Sequence, residues 1–91
     1  MTNQEMLGAL KIDLGITVAA YDNRLDQYLQ AAKKAIEEEG ATLDTAGSIK
    51  DAQLVIMYAA WTWRRRDTME GMPRMLRWAL NNRIFAEKAG A

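Results

Sequence analysis

The sequence predicts an all-α protein: a small bundle of about four helices packed around a central, apolar third helix. Two observations favour this fold class. Apolar residues recur at the three- and four-residue spacing of a helix face, and no segment has the two-residue alternation of a strand. Residues that cap helix starts or end helices stand between these apolar segments. We therefore expect a single domain over residues 1–91.

The first helix is predicted from local capping residues. Thr2 and Glu5 have the spacing of a capping box, in which the hydroxyl and the carboxylate each bind a free backbone N–H. Gly15 can adopt the left-handed conformation that ends a helix. We place this helix at about residues 3–13.

The second helix has one buried and one polar side. We expect Asp22 to be its N-cap and Gly40 to end it. The residues of its apolar stripe are Leu25, Tyr28, Leu29, Ala32 and Ile36. The helix should therefore lie at the surface with one face in the core.

The third helix is the most apolar segment of the chain. Ser48 and Asp51 repeat the capping spacing and should open a helix that runs to about Arg66. Its apolar residues fall on two sides, with Leu54, Met57, Tyr58 and Trp61 on one and Ala52, Val55, Ile56, Ala59 and Trp63 on the other. So small a chain is expected to leave Trp63, Ile56 and Ala59 partly exposed until a second subunit covers them.

The last helix should follow the break between Asp67 and Gly71. Pro73 suits the first turn of a helix, because its missing N–H would be unpaired there. The narrow apolar edge of this helix is Leu76, Ala79 and Leu80. We expect the tail, at about residues 84–91, to be flexible.

Composition argues against an enzyme. The 12 basic and 12 acidic residues cancel, and the chain has no Cys and no His. It therefore lacks the commonest general base and the commonest metal ligand, and it has no Gly-rich phosphate loop. We predict no catalytic, cofactor or metal site. Without a signal-peptide pattern or a membrane-length apolar run, we expect an intracellular protein that does not bind membranes.

Two charged runs and one tryptophan are candidate contact residues. The run Arg64, Arg65 and Arg66 can bind phosphate or carboxylate in a bidentate manner, but cations are also favoured at a helix C-terminus. Glu37, Glu38 and Glu39 lie unfavourably near the negative end of the second helix, and they could meet the arginine run of a neighbouring copy or simply be solvated. Trp63 with Arg66 is a candidate interface anchor, the alternative being that the ring belongs to the core.

The order of these segments resembles the small head–tail connector proteins of tailed bacteriophages and prophages. The resemblance is carried by the aromatic helix from Leu54 to Trp63, the arginine run that follows it, and the Pro-led segment from Met72 to Arg83. It covers nearly the whole chain and is strongest over Tyr58 to Trp63 and over that last segment. The resemblance lies in the types of residue and their order along the chain, and it includes no diagnostic motif.

The resemblance implies a structural virion assembly protein. Such a protein would form a ring of identical subunits beneath the portal protein, close the DNA-filled head and dock the tail through a tail-side completion protein. DNA would be only non-specific cargo in the channel. The subunit and portal contacts are placed on Trp63, Arg64, Arg65, Arg66, Arg74, Arg77, Glu37, Glu38 and Glu39. The expected location is the bacterial host cytoplasm during assembly and then the head–tail junction of the virion.

The main alternative is a small helix-turn-helix DNA-binding regulator. In that case the last helix would read a groove, with Arg74, Arg77 and Arg83 on the DNA and Asn81 and Asn82 at adenine edges. The zero formal charge argues against it, because such domains usually carry a basic excess. A regulatory or toxin–antitoxin partner protein is a third hypothesis.

Overall fold

The computed structural model describes residues 1–90 and is all-α, as predicted. Its helices are α1 (Asn3–Leu14), α2 (Asp22–Glu38), α3 (Ile49–Arg64) and α4 (Arg74–Gly90). Short 3₁₀ turns, Ala19–Tyr21 and Arg65–Asp67, precede α2 and follow α3. α3 packs against each of the other three helices, so it is the central helix that the sequence predicts.

The predicted capping box opens α1. The Glu5 N–H donates to the Thr2 hydroxyl at 3.1 Å, and the Thr2 N–H donates to the Glu5 carboxylate at 2.8 Å. Gly15 ends the helix at φ 71°, in the left-handed region that favours glycine. Met6 and Leu10 are the residues of α1 that enter the core.

The predicted N-cap of α2 is wrong by one residue. Tyr21 occupies the cap position and Asp22 is the first helical residue, because the preceding 3₁₀ turn already leads the chain into the helix. The Asp22 carboxylate instead accepts a hydrogen bond from the Lys11 ammonium at 2.7 Å. This ion pair links the start of α2 to the last turn of α1.

The side of α3 that carries Trp63 is buried within the chain, whereas on the opposite side Met57 is exposed and Tyr58 is half-buried. Its N-terminus is capped as predicted, with the Asp51 N–H donating to the Ser48 hydroxyl at 3.2 Å. The expectation that Ile56, Ala59 and Trp63 remain partly exposed is wrong, since their exposed fractions are 4%, 0% and 9%. The other three helices all pack against α3, and together they bury this side although the chain is small.

α4 follows Pro73, whose carbonyl accepts a hydrogen bond from the Arg77 N–H at 3.1 Å. Leu76 and Leu80 are buried and form the contact of α4 with the core. The chain remains helical to Gly90, so the region around 84–90 has regular structure. Its flexibility stays a prediction, and Ala91 lies outside the described residues.

Candidate functional site

A polar cluster joins α4 to the start of α3 and to the loop before it. Arg83 Nε donates to Asp51 Oδ1 at 2.8 Å, and Arg83 Nη2 donates to the Thr42 carbonyl at 2.6 Å. The Asp44 N–H donates to the second Asp51 oxygen at 2.9 Å, and Glu87 accepts from the Thr42 N–H. We call these residues the α3–α4 clamp.

Asp51 and Arg83, the central pair of the clamp, stabilise each other in their charged forms. Burial raises the pKa of Asp51, but hydrogen bonds from Arg83 and from the Asp44 N–H outweigh it, so the pKa lies below the usual aspartate value. The hydrogen bond with Asp51 likewise raises the pKa of Arg83. Both groups are satisfied by each other and by backbone atoms. The clamp therefore has the geometry of a structural ion pair.

Two residues of the predicted arginine run, which lies at the exposed end of α3, contact the body of the chain. Arg64 Nη2 donates to the Asp13 carbonyl at 3.0 Å, which links α3 to the end of α1. The Arg65 guanidinium carbon lies 4.4 Å from the centre of the Trp61 ring, within cation–π range. Both side chains thus have partners inside the chain as well as contact with solvent.

Trp63 and Arg66 do form a pair, but the tryptophan belongs to the core. The Arg66 guanidinium carbon lies 3.9 Å from the Trp63 ring centre, and its Nη1 donates to the Trp63 carbonyl at 2.6 Å. On its other sides the ring meets Tyr21 and Tyr28 edge-on, at centroid distances of 5.9 and 5.2 Å. Trp63 is therefore an intramolecular anchor, which leaves only Arg66 of the pair exposed.

The acidic run and the α4 arginines meet at one point. Glu39 Oε1 and Arg77 Nη1 form a salt bridge at 2.9 Å, so two predicted interface residues pair with each other inside the chain. Glu37 and Glu38 are exposed and lie at the negative end of α2. Arg74 is exposed at the start of α4.

α4 carries more exposed large apolar side chains than any other helix, and they were not identified as a set from the sequence. Met75, Trp78 and Phe85 are 71%, 64% and 75% exposed. Their spacing places all three on one side of the helix, facing away from Leu76 and Leu80. We call these three residues the α4 outer face. The helical spacing of these three residues is the signal that could have predicted this face. From the sequence we considered only the edge formed by Leu76, Ala79 and Leu80.

A shallow groove of about 370 Å³ lies between α2 and α3. Its lining includes several small side chains and two tyrosine rings. The residues used below are Tyr28, Ala31, Ala35, Tyr58 and Thr62, which we call the alanine groove. Ala31 is exposed and the other four are half-buried, so the groove is open to a partner.

Within residues 1–90, no three His, Cys, Asp or Glu side chains are grouped so as to hold a metal ion. The four helices are too short or too polar to cross a bilayer, as far as the described chain extends. The chain matches no known family model, no curated protein and no solved structure.

Proposed function

We propose that this chain is a structural assembly subunit of the head–tail connector type. It would form a ring beneath the portal protein, close the filled head, and present a docking surface to a tail-side completion protein. DNA would pass through the ring as cargo. The resemblance described above supplies the type of assembly, and the α4 outer face is the observation in the structure that supports it.

The α4 outer face is the kind of surface that an assembly subunit needs. With about 200 Å² for each large side chain, the exposed fractions of Met75, Trp78 and Phe85 correspond to roughly 400 Å² of apolar surface. Contiguous apolar areas of this size on small proteins often mark interaction sites. The area is about half of the ~800 Å² that each partner buries in a stable interface, so further contacts must contribute.

The DNA-binding alternative has less support. Arg77 pairs with Glu39, and Arg83 is bound to Asp51 and to the Thr42 carbonyl. Their donors would have to leave these partners before they could bind phosphate. Of the three arginines placed on DNA in that hypothesis, only Arg74 forms no ion pair within residues 1–90. The apolar outer face of α4 is also an unsuitable surface for a polar groove.

Binding to portal-bearing heads tests the proposal. Purified heads that carry a portal but no connector are incubated with the protein, and the copies that sediment with the heads are counted. We expect saturable binding of the wild type, and at least tenfold weaker binding of Trp78→Glu. Ile12→Glu is the matched control, because Ile12 is an exposed apolar residue on α1. Absence of wild-type binding at every protein concentration would contradict the proposed function.

A further inference from the structure

We propose that the α4 outer face of one copy of this chain docks in the alanine groove of a second copy. The inference rests on the proposed function, since it names the two surfaces through which the subunits of such an assembly meet. It depends on complementary shape, on matching length and on the positions of unpaired charges.

The two surfaces have opposite shapes. The α4 outer face projects three large side chains, Met75, Trp78 and Phe85, into solvent. The alanine groove is lined by Ala31 and Ala35, whose small side chains let a second helix approach closely. The tyrosine rings that also line it provide partners for an exposed tryptophan.

The lengths also match. At 1.5 Å per residue, the rise from Met75 to Phe85 is about 15 Å. On α2 the lining of the groove extends beyond Tyr28 to Arg24, and from Arg24 to Ala35 the rise is about 16 Å by the same geometry. A parallel alignment that sets Phe85 beside Ala35 therefore sets Trp78 beside Tyr28.

Unpaired charges at one end of each surface favour this direction. Glu37 and Glu38 are exposed at the end of α2, where the helix dipole adds to their negative charge. Lys88 is exposed near the end of α4 and forms no ion pair within residues 1–90. The parallel alignment brings Lys88 to the level of Glu38. Lys50 lies at the start of α3 and lines, together with Ala86, a separate groove between α3 and α4, so it adds a second exposed cation at this end.

These lysines are better partners for the acidic end than the arginine run. Arg65 and Arg66 lie over tryptophan rings of their own chain, and Arg64 is hydrogen-bonded to the Asp13 carbonyl. Glu37 and Glu38 can therefore gain more from Lys88 and Lys50, which have no such contacts to give up.

The proposed contact is heterologous, because the two surfaces share no residue. A pair would keep one free groove, on the first copy, and one free outer face, on the second. Such contacts propagate, and they close into a ring if the rotation between neighbours allows it. A self-complementary α4–α4 contact would instead stop at a dimer.

Disulfide trapping tests the contact directly, since the chain has no cysteine of its own. Asn82→Cys places a thiol on the outer face of α4 without removing its large side chains, and Ala31→Cys places one in the groove. Both residues are exposed. The two variants are mixed in equal amounts over a wide concentration range and oxidised. We expect a mixed dimer at a yield at least tenfold above that of Asn82→Cys mixed with Gln4→Cys, a control thiol exposed on α1.

A second substitution checks that the α4 outer face causes the trapping. Trp78→Glu in the Asn82→Cys chain should lower the mixed-dimer yield at least tenfold, while circular dichroism shows an intact helical fold. Phe85→Glu replaces it if the first variant unfolds. A mixed-dimer yield no higher than the control would overturn the inference, and so would a dominant Asn82→Cys homodimer.

The same mixtures are trapped on portal-bearing heads, which separates this inference from the proposed function. Trapping in solution without any binding to heads supports the contact and contradicts the connector function. Binding to heads without trapping, in solution or on the portal, overturns the contact and leaves the function supported.

Discussion

Arg83 and Asp51 lie 32 residues apart in the chain and meet as a nearly buried ion pair at 2.8 Å, across the contact of α4 with α3. Asp51 also accepts the Asp44 N–H, and Arg83 also donates to the Thr42 carbonyl. One carboxylate and one guanidinium thus connect α4, α3 and the loop that joins α2 to α3. Leu76 and Leu80 are the only buried residues of α4, so the ion pair also contributes to the position of the α4 outer face.

We expect removal of either clamp residue to destabilise the protein. Asp51→Asn and Arg83→Gln should each lower the free energy of unfolding by about 1–3 kcal/mol, because each leaves a partner group poorly satisfied. The double variant should lose less than the sum of the two, with a coupling of about 1–2 kcal/mol. Urea unfolding of the four proteins measures this cycle. Strictly additive losses would show that the two side chains do not interact.

The clamp also predicts an acid-sensitive stability. Because the pKa of Asp51 is lowered in the folded protein, its contribution is complete above the ordinary aspartate pKa of ~3.9 and is lost as the pH falls through the lower folded-state value. The stability difference between wild type and Asp51→Asn should therefore shrink as the pH is lowered from 6 to about 2.5.

Glu5 supplies the control for this pH dependence. Hydrogen bonds from the Thr2 backbone N–H and hydroxyl lower the pKa of Glu5 as well, so part of the acid sensitivity should persist in Asp51→Asn. Glu5→Gln should lose only the acid sensitivity that Glu5 contributes, and it should keep the acid sensitivity that Asp51 contributes. A constant difference between wild type and Asp51→Asn over the whole pH range would mean that Asp51 is not ionised in the fold.

Local hydrogen-bonding patterns made the helix starts predictable. Thr2, Glu5 and Ser48 form their capping hydrogen bonds with residues three positions away in the sequence. The spacing of these residues is therefore enough to predict the hydrogen bonds. The central position of α3 followed from its two apolar sides. The prediction of Asp22 as an N-cap was wrong because a 3₁₀ turn precedes this residue. No capping pattern in the sequence predicts that turn.

The contacts that define the candidate surfaces were not predictable in this way. Asp51 was recognised only as a helix-start residue, since nothing in the sequence links it to Arg83 on α4. The burial of Trp63 depends on Tyr21 and Tyr28, which approach it only after α2 packs on α3. The apolar edge of α4 was predicted correctly from Leu76 and Leu80, but the exposure of its outer face likewise depends on tertiary packing.

Trp63 is buried and Trp78 is exposed, so replacing each of them by alanine should change the stability by different amounts. Trp63→Ala should lower the free energy of unfolding by about 3–5 kcal/mol, because it empties a packed core position. Trp78→Ala should change it by less than about 1 kcal/mol, because that ring is 64% exposed. Urea unfolding followed by circular dichroism measures both. Equal losses would show that Trp63 is not part of the core, and would restore it as an interface candidate.

Binding to DNA should be weak and insensitive to sequence. The formal charge is zero, and Arg77 and Arg83 already have acidic partners in the chain. Titration against random and genomic duplexes at low salt should show no sequence preference. Submicromolar, selective binding with a steep salt dependence would instead support the helix-turn-helix regulator.

The arginines at the end of α3 should contribute unequally to folding. Arg66 covers the Trp63 ring and donates a hydrogen bond to the Trp63 carbonyl at the helix end. Arg66→Gln should therefore cost about 0.5–1.5 kcal/mol of stability. Arg64→Gln removes the same charge from the same helix end but only one exposed hydrogen bond, so it should cost less than about 0.5 kcal/mol.

Comparing the two variants separates a specific contact from a general charge effect. If helix-dipole attraction alone mattered, the two losses would be equal and would decrease together as salt is added. A larger, salt-resistant loss for Arg66→Gln is expected, because stacking on a nearly buried ring is screened less than an exposed charge. Arg66 would then act in folding through Trp63. Any effect of the arginine run on assembly should be sought with Arg64→Gln, whose fold should remain intact.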